Sequence, residues 1–141
     1  MNHLEKAKLL LEENNYTLVL VSDKEVETDT LRGVRPLLNR YGKDYSAYSA
    51  ADKVIGKGAA FLYVLLQIKE VYAHVISKPA LEVFESYKIP VVYDILTPNI
   101  DNHDKTGLCP IEMATLPISS PEEALPIIRK RLEELKEEPR V

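Results

Sequence analysis

Cysteine is nearly missing from this chain. Cys109 is the single one in 141 residues, so it has no partner for an internal disulfide, and this usage fits a reducing cytoplasm. With only three scattered histidines, soft ligands are too few for a structural zinc site, and neither a metal nor another cofactor is expected. A basic excess is also lacking. The net charge of -4 and the pI of about 5.4, with the basic residues scattered, argue against a nucleic-acid partner, which needs a basic face. Long apolar runs are absent too: the longest, Ala59 to Leu66, falls far short of the ~20 residues that span a bilayer. Met1-Asn2-His3-Leu4-Glu5-Lys6 has no apolar signal core. No membrane association is expected, and the expected location is the cytoplasm. Internal repeats and low-complexity segments are not found.

What is present is an ordinary globular composition, 45% hydrophobic and 28% charged, and a length that suggests one domain over residues 1–141 with a sizeable core. Residues 3–13 predict an amphipathic helix with Leu4, Ala7, Leu10 and Leu11 on one face, ended by Asn14-Asn15. Tyr16 to Val21 reads as a central strand, and Glu25 to Thr28 returns as an edge strand after the turn Ser22-Asp23-Lys24. Gly33 to Tyr41 is a short helix. Glu70 to Ile76 and Ile89 to Leu96 are further strands. Between them, Ser77 caps a helix that carries Pro79 in its first turn. A polar loop over 97–108 leads to a short helix opened by Cys109-Pro110. Ser120-Pro121-Glu122-Glu123 resembles a capping box before a last helix with an apolar stripe, in which Pro126 should kink the helix or delay its start.

Residues 50–67 carry the most information. They read as one central helix, polar in its first turn and apolar all round afterwards, as a helix in the middle of a domain must be. Gly56 and Gly58 each cost roughly 1 kcal/mol against alanine there, so something must approach them closely. Strands joined through helices should be parallel. With the antiparallel first pair, the expected fold is α/β: a three-layer α/β/α domain with a mixed sheet of about four to five strands.

That order of elements resembles the cytidine-deaminase-like fold. Five segments, Arg32 to Leu38, Ala51 to Ala60, Glu70 to Ser77, Pro79 to Glu82 and Thr106 to Glu112, are similar to a small prokaryotic family of about this length within that superfamily, for which no activity carries over. The zinc deaminases need His or Cys followed by Glu at the start of the central helix and Pro-Cys-x-x-Cys at the start of the next. Here Ala51-Asp52-Lys53 and Pro79-Ala80-Leu81-Glu82-Val83 stand in those places. The zinc ligands are gone, and zinc-dependent deamination is not expected. The resemblance implies a pocket at these helix starts. Open sheets of this kind often pair, which makes a homodimer an expected partner.

The candidate ligand-binding residues follow from charge and spacing. Lys53 and Lys57, four apart with Gly56 between them, would share a helix face at an N-terminus where cations are unfavourable without a negative partner. Asp52 or another carboxylate could supply that partner, or Asp52 could serve only in a capping box with Ser49. A bound phosphate could supply it as well. Arg32 and Arg35, flanking Gly33-Val34, have forks suited to carboxylate or phosphate, or to surface carboxylates. Cys109 at a helix cap has the setting of an activated thiol. His103 would be its base and Glu112 or Asp52 would orient a proton, although a free cysteine more often behaves as a small buried hydrophobe. His74, between Ala73 and Val75, reads as a core histidine. The expected function is binding of a small anionic, nucleotide-like ligand at the N-terminus of the central helix. The alternative is a Cys109-dependent transferase or hydrolase acting on such a ligand.

Overall fold

A computed structural model describes residues 1–101 and 107–137. The chain opens with helix α1 (His3–Glu13), capped by Asn2, whose side chain accepts the Glu5 N–H at 2.8 Å. Strands β1 (Leu18–Val21) and β2 (Val26–Asp29) form the antiparallel hairpin. A four-residue helix α2 (Arg35–Leu38) follows, then strand β3 (Ser49–Ile55), helix α3 (Lys57–Leu66), strand β4 (Glu70–Ser77), helix α4 (Lys78–Ser86) and strand β5 (Val91–Thr97). Helices α5 (Pro110–Thr115) and α6 (Pro121–Glu137) complete the order. The five strands make one mixed sheet, β2-β1-β3-β4-β5. β3, β4 and β5 are parallel, and β1 is antiparallel to both neighbours.

The expected three-layer arrangement is present. On one face α1 packs Ala7 and Leu11 against Val19, Val21, Ala51 and Tyr72. On the other, the larger core gathers Leu18, Leu20, Ala50, Val71 and Ala73 under α3, with Phe84 from α4 and Ile128 from α6. α6 runs through Pro126 without a break, and Glu123 N–H is capped by Ser120 Oγ at 3.2 Å. No described helix is long and apolar enough to cross a membrane.

Two further expectations are corrected. His74, read as a core histidine, has a side chain that is 53% exposed, because it points to the open end of the sheet beside Asp94. The stretch 50–67 is not one helix: its first part is β3, and the helix begins only at Lys57, after Gly56. Ala50 and Ala51 favour helix intrinsically, but β3 is the middle strand, paired with β1 on one side and β4 on the other. Their small side chains let helices pack on both faces, and tertiary context overrides propensity. Asp52 and Lys53 therefore sit in mid-strand, Ser49 and Asp52 form no capping box, and Lys53 and Lys57 share no helix face.

Candidate functional site

The two glycines of the central stretch are explained by α5. A Cβ on Gly58 would lie 2.7 Å from Ile111 Cγ2, and one on Gly56 would lie 3.3 Å from both Glu112 Oε1 and Ile100 Cγ1. The close neighbour is thus a helix of the same chain. Glu112, only 1% exposed, turns its carboxylate onto the start of α3. It accepts the Lys57 N–H at 2.9 Å and the Ser77 hydroxyl at 2.5 Å, together with the Ile100 N–H. Ser77 in turn caps α4 by accepting the Ala80 N–H at 3.3 Å. The anion expected at the central helix is therefore supplied by the protein itself, because helix N-termini favour negative charge and Gly56 has no side chain to cap with.

Lys57 stands at that same end. Its ammonium donates to the Leu116 carbonyl at 2.6 Å and lies 5.6 Å from the Phe61 ring centre. Burial pulls its pKa down, against the opposing charges of Glu82 and Glu112. Its side chain lines a small cleft of about 250 Å³ with Glu82, Val83 and Tyr87. Cys109 is the N-cap residue of α5, with its N–H donating to Ile100 O at 2.8 Å, and it packs against the main core. His103, expected as its base, lies outside the described residues.

Asp52 and Lys53 belong to a different place. The ladder of β1 with β3 stops at Leu18↔Asp52, with one further bond from Lys53 N–H to Thr17 O at 3.4 Å, so the last residues of β3 outrun their neighbour. A cleft of about 540 Å³ opens there, walled by Thr17 and Leu18, by the segment Thr30 to Gly33, by Pro36 and Leu37 of α2, and by Asp52, Lys53 and Val54. In open α/β sheets, crevices beside the carboxyl ends of strands are the usual ligand sites. Arg32 and Gly33 line this cleft; Arg35 is exposed on α2 and does not. The wall carrying Arg32 is anchored from behind. Arg40 holds Glu27 Oε1 and Asp29 Oδ2, each at 2.9 Å, and donates to Pro36 O. Partial burial works against both carboxylates, yet the Arg40 hydrogen bonds bring them below the usual range.

The chemistry of the cleft centres on Asp52. Its carboxyl projects to the α3 side of β3, where Tyr63 OH donates to Oδ2 at 2.7 Å and Val54 N–H donates to Oδ1 at 3.3 Å. Burial pushes its pKa up to about 7, although these hydrogen bonds favour the carboxylate. The Tyr63 hydroxyl is raised well above 10 by burial and by the Asp52 charge. Tyr63 was not anticipated from the sequence, although a tyrosine in an otherwise apolar buried helix needs a hydroxyl partner. Of the nine residues predicted for the site, the structure gathers Asp52, Lys53 and Arg32 in one cleft. It places Gly56, Lys57, Glu112 and Cys109 together at the α3–α5 junction.

The chain is thus a small α/β protein with a mixed five-strand sheet and a ligand-sized cleft beside its central strand. It belongs to the DUF1893 family, whose domain of unknown function, TM1506, matches residues 6–132. It is similar to the crystal structure of a DUF1893 family protein, TM1506 from Thermotoga maritima. The two share 28% sequence identity with a TM-score of 0.84, over 94% of this chain and 90% of that one. No curated protein matches.

Proposed function

We propose that this protein binds a small ligand bearing an anionic group in the Asp52 cleft, with Lys53 and Arg32 facing the anion and Asp52 exchanging a proton or a hydrogen bond with the ligand. The observation that carries this reading is Asp52 itself. A carboxyl sunk at a cleft wall, its pKa pushed up to about 7 by burial, satisfies the buried Tyr63 hydroxyl and also has the setting that functional sites commonly show. A volume of about 540 Å³ lies within the range of small-molecule sites and suits a nucleotide-sized ligand. The site moves from the helix start, where the sequence suggested it, to the strand edge, because Glu112 already occupies the helix start.

The element order and mixed sheet also support reading the fold as cytidine-deaminase-like. On that reading the first zinc position falls on Lys57-Gly58-Ala59, since the central helix begins at Lys57, and the second on Ala80 and Val83. Ammonium and buried apolar side chains do not fit a zinc ion, and no deamination step is derived. The alternative of chemistry at Cys109 rests on its helix-cap position.

Thermal shift and equilibrium dialysis with inorganic phosphate and a panel of nucleoside monophosphates test the proposal. At least one probe should raise the Tm of the wild type. Its affinity should fall tenfold or more in Lys53→Ala and stay unchanged in Cys109→Ser. Binding lost in Lys57→Ala but not in Lys53→Ala would return the site to the helix start. No response to any probe would overturn the reading.

A further inference from the structure

The two edges of the sheet differ. β2 is short, polar at three of its four positions and tied down by Arg40. β5 is longer and, apart from the charge of Asp94, lacks the usual edge protections: it holds no lysine and no proline, and its register with β4 runs evenly from Val71↔Val91 to Ser77↔Thr97. Such an edge is a template for another strand. Val92, Tyr93, Ile95 and Leu96 are 55%, 38%, 49% and 46% exposed. α1 lies chiefly across β1 and β3 and leaves this end of the sheet open. Asp94 is the one charge on β5, and it turns inward: its Oδ2 accepts from Tyr72 OH and pairs with His74 Nδ1 at 3.1 Å.

The backbone fixes how a second strand could join. Val71 N–H donates to Pro90 O, so even-numbered residues of β5 direct their backbone groups at β4. Val91, Tyr93, Ile95 and Thr97 direct theirs outward. We propose that β5 pairs antiparallel with β5 of a second copy of this chain, about a two-fold axis at Asp94, so that one sheet runs through a homodimer. In this register Tyr93 exchanges hydrogen bonds with the partner's Ile95, Val91 does so with the partner's Thr97, and Val92 packs on the partner's Leu96. Every exposed apolar side chain of the strand meets another one, the arrangement that stabilises cross-strand pairs. Pro90 and Pro98 face each other at both ends and stop the ladder where β5 stops. Two Asp94 carboxylates meet at the axis, each drawn back onto its own β4 by Tyr72 and His74. A shift of two residues either way sets Asp94 against an apolar residue and shortens the ladder. The self-complementary register favours a copy of the same chain over an unrelated partner, because a two-fold contact uses the same patch twice.

Light scattering on the full chain after size exclusion tests this, with the wild type expected at twice the 16.0 kDa chain mass. Ile95→Lys should run as a monomer with an unchanged far-ultraviolet spectrum. With diamide as the oxidant, Asp94→Cys should form a disulfide-linked dimer rapidly, since position 94 meets itself across the axis, while the wild type, with only Cys109, measures the background. If Ile95→Lys fails to fold, the Asp94→Cys cross-link decides. A monomeric wild type at high concentration would overturn the proposal. So would a folded Ile95→Lys dimer, or an Asp94→Cys chain that cross-links no faster than the wild type.

Discussion

Asp52 shows what a single side chain can reveal. The fold raises its pKa from 3.8 to about 7, a difference worth about 4 kcal/mol between its two protonation states. The sign follows from proton counts. Between the two values the native state holds a proton that the unfolded state has lost, so stability falls as pH rises through this window, and the full penalty stands above it. Asp52→Asn should therefore stabilise the protein by up to about 4 kcal/mol at pH 8 and by little at pH 4, with the Tyr63 hydroxyl turned to accept from the new amide. Urea denaturation at the two pH values checks this, and an equal effect at both would mean an ordinary carboxylate. Tyr63→Phe should cost about 1–3 kcal/mol, because it strips a buried partner from the carboxyl. Asp52 and Lys53 were legible in the sequence as charges before an apolar stretch, and Arg32 as an arginine flanking Gly33-Val34. Their true setting was not, since it depends on β1 beginning only at Leu18 and leaving the last residues of β3 without a neighbour on that side.

Among the elements, the error over residues 50–67 is instructive. Alanines, Asp52 and the lysines suit a helix, and nothing local forbids one. The pair Val54-Ile55 just before Gly56 was the available signal: β-branched residues ending at a glycine mark a strand that stops where a helix starts. The neighbouring elements were legible because each carried its own boundary, as Asn2 and Asn14 do for α1, and Ser77 with Pro79 for α4. The glycines correctly signalled close approach, but the approaching group was Ile111 of α5, distant in sequence. Gly58→Ala, which would stabilise an open helix by roughly 1 kcal/mol, should here destabilise by about 1–3 kcal/mol because Ile111 must move. A thermal melt gives the sign directly, and a gain in Tm would show that α5 does not press on α3.

At the scale of the whole molecule, opposed titrations set the response to pH. Glu27 and Asp29, lowered through Arg40 despite partial burial, contribute stability above the ordinary carboxylate range and lose it on acidification. Asp52 acts in the opposite sense. The stability optimum should accordingly lie on the acid side of neutrality, and Arg40→Ala, measured by urea denaturation at pH 4 and pH 6, should flatten the acid limb and cost about 2 kcal/mol or more at pH 6. The class of fold was visible from the sequence because alternation of strands and helices dictates layers. Which strand edges stay open was not, because that is decided by how far each strand runs.

The Glu112 carboxylate joins the start of α3, the cap of α4 and the segment after β5. None of these ends is complete until α5 has docked, although two of the helices lie far earlier in the chain. In native-state hydrogen exchange, the amides of Lys57 and Ile100 should therefore open together, in the slowest-exchanging class, rather than fray separately. In Glu112→Ala they should split into independently opening units, the sign that one side chain had made three segments into a single cooperative one.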